Sequence, residues 1–255
     1  MKKLGIAAMD VRCDLESGLL TVDGEAIRPG IRKLGDLKDV LFDRTALDSI
    51  GRETPVYYMY RDIRRARDQR LFDRHSLRFD MTVIPPRVIG KEYVKTAGHY
   101  HPLAEDSLSF PEVYQVLNGS ANFLLQKMEE GTITDVVLVR AGSGEAVVIP
   151  PNYGHVTINR SRETLVLANL VSSRFESLYE PMRTTHGAAY YMLVGGRFVR
   201  NPAYVAPPPL RTARANRHAL KTRKDIYSAF LERPNLFLFL NHPSEAPTEP
   251  FTETS

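Results

Sequence analysis

The 255-residue sequence predicts a mainly β protein whose central 77–196 segment closes into an antiparallel sandwich or barrel. Three observations carry that expectation. From residue 77 to 171 the chain divides into short β-branched and aromatic runs separated by Gly, Pro and Asn, the rhythm of closely spaced antiparallel strands. Asn118-Gly119 falls between two such runs, a strong hairpin signal. Residues 1–76 and 197–255 lack this rhythm and read as an N-terminal arm packed on the barrel and a C-terminal extension.

Taken in order, the first 50 residues mix short apolar runs with the turn signals Asp23-Gly24 and Pro29-Gly30. They predict short strands and one helix near 37–42. Residues 56–60 are aromatic and strand-like. Residues 61–72 hold strong helix formers without Gly or Pro and predict a helix. Barrel strands are expected at 81–84, 92–96, 113–117, 121–126, 134–139, 146–149, 156–159 and 164–171, with a further strand at 190–194. Pro207-Pro208-Pro209 marks a stiff linker. A helix is expected over 217–232, followed by a flexible tail from Pro243.

Composition narrows the classes of function. Apolar residues make up 43% and charged residues 25%, ordinary for a globular protein. No apolar run approaches the ~20 residues that cross a bilayer, so no membrane partner is expected. Asp10 cuts short the apolar stretch after Met1 and no small-residue cleavage site follows, which argues against export. The single cysteine, Cys13, allows neither an intrachain disulfide nor a Cys-based zinc site, and a reduced cytoplasm fits best. Net charge is +4, with basic stretches at 61–74 and 211–224. Acids interleave the first, no nucleic-acid module sits in either, and both read as solvated helix faces rather than a nucleic-acid surface. A mildly basic surface favours anionic substrates.

The informative segment is Thr96-Ala97-Gly98-His99-Tyr100-His101-Pro102. Residues two apart on a strand share a face, so His99 and His101 aim together into the barrel while Tyr100 turns away. Glu112-Val113-Tyr114 follows after a ten-residue spacer, and Pro150-Pro151-Asn152-Tyr153-Gly154-His155 brings a third imidazole. Three imidazoles and a carboxylate suit one first-row divalent ion with open positions; Mn²⁺, Fe²⁺, Ni²⁺ and Zn²⁺ all fit.

These residues resemble the cupin superfamily. Its first motif matches His99, His101, Glu112 and Gly119; its second matches Gly144, Pro150, His155 and Asn159. The spacer before Glu112 is long for a cupin, and Tyr93 and Asn152 stand where glycine is usual. Within the superfamily, Thr82, Gly90-Lys91-Glu92, the Thr-x-Gly-His-x-His run, Pro111-Glu112-Val113-Tyr114, Leu124-Leu125-Gln126 and Pro150-Pro151 with Gly154-His155 resemble the archaeal-type glucose-6-phosphate isomerases, over roughly residues 55–195. The resemblance implies a cupin fold, a double-stranded β-helix or jelly-roll barrel. It implies a metal held by His99, His101, Glu112 and His155. Substrate contacts carry over to Thr82, Thr96, Gly98 and Tyr114, with Tyr179 matched to a tyrosine beyond the second motif. A histidine of compact family members is replaced near Ser177, which leaves Arg174 or Arg183 as the expected phosphate cation. The family commonly forms homodimers through its sheets, with the N-terminal arm and C-terminal helix as candidate contacts.

The expected activity is interconversion of glucose 6-phosphate and fructose 6-phosphate, a step of glycolysis and gluconeogenesis, with Glu112 as catalytic base. Both proton transfer through an enediolate and a metal-polarised hydride shift satisfy the resemblance. The competing readings are an isomerase of another sugar phosphate such as mannose 6-phosphate, a cupin dioxygenase, and a non-catalytic sugar sensor. His75, His186, His218 and His242 lack partner motifs and are assigned surface or structural roles.

Overall fold

A computed structural model describes residues 1–216 and 218–254. Two sheets face each other, antiparallel except where Thr132–Gly142 and Arg211–Ala215 pair in parallel. The strands that form them are β1 (Gly30–Lys33), β2 (Pro55–Tyr60), β3 (Leu77–Ile84), β4 (Glu112–Asn118), β5 (Ser120–Glu129), β6 (Thr132–Gly142), β7 (Ala146–Ile149), β8 (Tyr153–Ile158), β9 (Leu165–Ser172), β10 (Arg211–Ala215) and β11 (Phe251–Glu253). One sheet has the order β7-β4-β9-β3-β2-β1 and the other β8-β5-β6-β10-β11.

The pairing is nested. β3 pairs with β9, the extended segment 95–99 bridges to β8, β4 pairs with β7, and β5 pairs with β6. One long hairpin has therefore been rolled on itself, first strand against last, which is the jelly-roll arrangement. The innermost turn, Glu130-Gly131, joins β5 to β6, whereas Asn118-Gly119, expected as a hairpin turn, carries the chain from β4 in one sheet to β5 in the other, because those strands pair with β9 and β8 instead. Gly119 sits at φ +79, and an added Cβ would lie 3.2 Å from the Thr164 carbonyl oxygen. That left-handed position is where glycine is needed.

The inner strands β4 and β9 are buried on both faces; β9 accordingly reads as a nearly unbroken apolar run, while β4 buries Glu112, Gln115 and Asn118 among apolar residues. Alternation still sorts their side chains. Glu112, Tyr114 and Asn169 turn into the barrel, while Val113, Leu117, Val166 and Leu170 turn outward into a second core. That core is covered by Leu4, Ile6, Val11 and Leu20 from the N-terminus and by Tyr227, Phe230, Phe237 and Leu240 from the C-terminus. The outer face of the smaller sheet is covered in turn. Gln126 lies there fully buried, donating to the Tyr100 and Tyr204 hydroxyls and accepting from the Ala189 N–H.

Several expected elements differ. The helix placed at 37–42 is a 3-10 turn at Leu34–Leu37 and a helix at Ala46–Ile50. Of residues 61–72, only the end is helical: a 3-10 turn Ala66–Asp68 leads into Gln69–His75. Residues 61–62 are instead held by Asp80, which accepts from Arg61 and from the Asp62 N–H. The helix expected over 217–232 covers Ile226–Glu232, capped by Asp225; Arg217 lies outside the described residues. The tail expected to be flexible from Pro243 is ordered in part. It forms a 3-10 turn at Pro243–Glu245 and strand β11, which pairs with β10. Strands β1, β2, β10 and β11 join the barrel's own sheets, so both extensions are woven into it.

Candidate functional site

Four side chains converge inside one end of the barrel. His99 and His101 come from the extended segment before β4, Glu112 opens β4, and His155 lies on β8. His99 and His155 face one another through reciprocal backbone hydrogen bonds, His99 N–H to the His155 carbonyl at 3.2 Å and His155 N–H to the His99 carbonyl at 3.0 Å. One donor atom from each of the four lies within 4.8 Å of all the others. Glu112 Oε2 is 3.4 Å from both His101 Nε2 and His155 Nε2.

The surroundings fix each group. His101 Nδ1 donates to the Phe110 carbonyl at 2.8 Å, which leaves Nε2 bare toward the cavity. Asn169 Nδ2 donates to Glu112 Oε1 at 2.7 Å, while Oε2 is buried without a hydrogen-bond partner. A buried carboxylate oxygen without a donor is costly. The fit of a divalent cation at this point is therefore argued by the donor set itself. Protonation states agree. Burial, with the neighbouring His155 and His101, holds His99 well below its ordinary value. Burial lowers His155 to about 4 against the pull of Glu112. For Glu112 burial works upward, but His101, His155 and Arg61 outweigh it and the net shift is downward. At neutral pH the set is an ionised carboxylate with neutral imidazoles at His99 and His155, as a metal site requires.

The backbone allows this approach at two glycines. Gly98 has φ +77, and a Cβ there would fall 2.6 Å from Val156 Cγ2. At Gly154 a Cβ would fall 2.5 Å from the Tyr100 ring. Tyr100 does face away from the donors, buried against Gln126.

Thr82, Thr96, Gly98, Tyr114 and Tyr179 all line the same cavity, along with Ser177. Their roles differ locally. Thr96 Oγ1 accepts the Thr157 N–H at 2.9 Å and so joins the segment to β8. Tyr114 Oη lies 3.2 Å from His155 Nε2, and burial together with Glu112 keeps its phenol protonated. Tyr179 places its ring 5.3 Å from that of His99, with the Arg32 and Arg183 guanidiniums 5.6 and 5.8 Å from its centroid.

Arg174 and Arg183, the cations expected to meet a phosphate, are not among the lining residues; Arg61 and Arg78 are. Sequence reasoning assigned Arg61 to a helix and passed over Arg78. The signal was present in Arg78-Phe79-Asp80-Met81-Thr82, where alternation puts Arg78, Asp80 and Thr82 on one face. Asn169 was equally legible as the one polar residue in the apolar run 165–171. The histidines outside the motifs lie elsewhere: His242 pairs with Glu105, His186 contacts Arg44, and His75 packs edge-on against Phe230. A larger surface cleft of about 900 Å³, against residues 143–146 and 220–224, holds none of the donors.

Fold and donor set together define a jelly-roll barrel able to take a metal ion in its interior. A family model described as glucose-6-phosphate isomerase matches residues 31–207. The glucose-6-phosphate isomerase of Thermococcus onnurineus is 31% identical over 161 residues, 63% of this chain and 76% of that protein. That of Thermococcus gammatolerans is 32% identical over 160 residues, 61% and 74%. That of Pyrococcus furiosus is 29% identical over 157 residues, 61% and 74%. Similar solved structures include a variant oxalate decarboxylase of B. subtilis, with TM-score 0.33, 16% identity, and coverage of 48% of this chain and 26% of that one. An oxalate oxidase structure gives TM-score 0.32, 16% identity, 40% and 45%. The chain thus spans less than half the length of these structures. It belongs to the glucose-6-phosphate isomerase family.

Proposed function

We propose that this chain interconverts glucose 6-phosphate and fructose 6-phosphate, with one divalent ion per subunit held by His99, His101, Glu112 and His155. The supporting observation is the convergence of these four donors, with Glu112 Oε2 unpartnered, inside the segment that matches the family. The ion, when bound, supplies Lewis acidity to the sugar's reacting oxygens. Fe, Mn, Ni and Zn all suit the donor set.

The chain's own residues do the rest. Glu112 is the ionised group at the reacting carbons, and we assign it the proton moved between C2 and C1. Asn169 holds its Oε1 and fixes the plane of the carboxylate. Tyr114 stays a phenol and can donate to a substrate oxygen. Gly98 gives close backbone approach, and Thr82 and Thr96 stand along the wall. Tyr179 and Phe175 pack their rings against His99 and His101 along the cavity wall.

A cytoplasmic setting accords with Cys13, a free buried thiol whose pKa burial pushes up to about 12, and among the described residues no helix is long and apolar enough to cross a membrane. The reading includes a homodimer. Its candidate contacts are the N-terminal arm and the C-terminal helix, which cover the outer face of the six-stranded sheet.

The test is a C2-deuterated glucose 6-phosphate assay. Turnover with deuterium released to solvent, and lost in Glu112→Gln that still carries metal, supports the proposal. Deuterium fully retained at C1 would remove Glu112 as base; no turnover of either sugar phosphate would remove the isomerase.

A further inference from the structure

The cavity that holds the four donors also holds two guanidiniums that the donor set does not use. Arg78 lies in the same cross-strand row as Glu112, with Val171 between them. At ordinary strand spacing this puts the two backbones about 10 Å apart on one interior face. Arg61 extends from the end of β2 beside it. Both are anchored by Asp80, which is 1% exposed. Arg61 Nη1 donates to Asp80 Oδ2 at 2.6 Å, Arg78 Nε donates to both Asp80 oxygens at 2.9 Å, and the Asp62 N–H donates to Oδ1 at 2.8 Å. Asp80 thus acts as a shared post that orients two cations.

Charge and donors remain after that anchoring. Two guanidiniums less one carboxylate leave one positive charge on this wall. Among the described residues nothing takes Arg78 Nη1 or Nη2, or Arg61 Nε, and both residues line the cavity. Unspent guanidinium donors, held rigid by a buried carboxylate, form a fork suited to a tetrahedral oxyanion. Arg32, Arg174 and Arg183 do not line the cavity, which leaves Arg61 and Arg78 as its cations.

We infer that Arg61 and Arg78, oriented by Asp80, bind the phosphate group of the sugar phosphate. This rests on the function proposed above for its substrate, but not for the anion site itself. The row separation places the phosphate at one end of the cavity and the reacting carbons beside Glu112 at the other. Recognition of a bare sugar at this site is correspondingly weak.

The experiment uses the metal-loaded protein and two probes, inorganic phosphate by calorimetry and fructose 6-phosphate by turnover. Arg78→Met and Arg61→Gln are each expected to weaken phosphate binding about tenfold or more, the size of a lost charge-assisted hydrogen bond. KM for fructose 6-phosphate should rise by a similar factor while kcat changes less. Arg78→Lys should recover part of the loss, and Arg174→Gln should change neither quantity. Arg61 is half exposed, so its variant tests the inference even where Arg78→Met fails to fold. Unchanged phosphate affinity and KM in folded Arg61→Gln and Arg78→Lys would overturn it. If the wild type proves inactive on sugar phosphates but binds inorganic phosphate through Arg78, the anion site stands and the isomerase reading falls.

Discussion

Asn169 shows how much of the site depends on a side chain that never meets the ion. Its amide donates to Glu112 Oε1 and points Oε2 at the imidazoles. Removing such an outer partner costs about 10- to 100-fold in metal affinity or activity. Asn169→Ala should therefore weaken divalent-ion binding by that factor in a competition titration with a chelator, with little change in melting temperature of the chelated protein. Unaltered affinity would show that the carboxylate needs no such support. At this scale the sequence was readable where residue type and spacing coincide: His99-x-His101, Glu112 and His155 each stand in a local motif. Arg61, Arg78 and Asp80 were not read because their meeting is made by strand pairing. Asp80 joins two arginines that are 17 residues apart in sequence, Arg61 and Arg78.

Among the elements, two of the three departures from the cupin motifs explain one another. The long spacer before Glu112 folds into a small hairpin, Leu103–Glu105 with Leu108–Ser109. Asn152, standing in place of glycine, adopts φ +67, a left-handed position that asparagine tolerates. Its side chain then latches that hairpin, Oδ1 accepting the Ser109 N–H at 2.8 Å and Nδ2 donating to the Ser107 carbonyl at 3.0 Å. Asn152→Gly should keep the turn but release the latch, costing about 1–2 kcal/mol for the two bonds, read by denaturant melts. Motif-level reading sees the substitution but not its partner.

The N-terminal segment has its own tie, at the turn between the paired strands Leu20–Val22 and Glu25–Ile27. Arg65 holds Asp23, with the Asp10 N–H assisting, and the Asp23 carboxyl falls to about 2 from its ordinary 3.8. A carboxylate with a depressed folded pKa stabilises above its unfolded value and loses that contribution as pH falls through the folded one. The pair is partly exposed, so its worth is at most about 1 kcal/mol. Asp23→Asn should lower stability slightly at pH 7, and the difference from wild type should shrink below pH 4 and vanish as pH falls below 2. A difference that persists in acid would show that the ion pair is not its source.

For the whole molecule, the extensions matter more than composition suggested. Barrel strands were legible because alternation and turn residues are local. Much of the extensions was not, because their order comes from long-range contacts, by pairing at the sheet edges and by docking on the outer face of the six-stranded sheet. Phe230 is fully buried there, with its ring 4.8 Å from that of Phe72 and 6.0 Å from that of Phe237. Phe230→Ala should cost about 3–5 kcal/mol and expose the sheet to dye binding. If the helix Ile226–Glu232 were a loose appendage, stability would barely move. The C-terminal reach of the chain also ties the segment beside the site, where Glu105 meets His242 and Ser244.

The central claim is that a divalent ion in the four-donor site makes this barrel an isomerase of glucose 6-phosphate and fructose 6-phosphate. Its most direct test is turnover of fructose 6-phosphate against measured metal content, following glucose 6-phosphate through its dehydrogenase. Protein stripped by chelator should be inactive, and activity should return in proportion to one bound ion per chain on reloading with Mn²⁺, Fe²⁺, Ni²⁺ or Zn²⁺. His155→Ala should bind the ion at least about 100-fold more weakly and show no restored turnover. Full activity in stripped protein, or no turnover in chains shown to carry one ion each, would contradict the account.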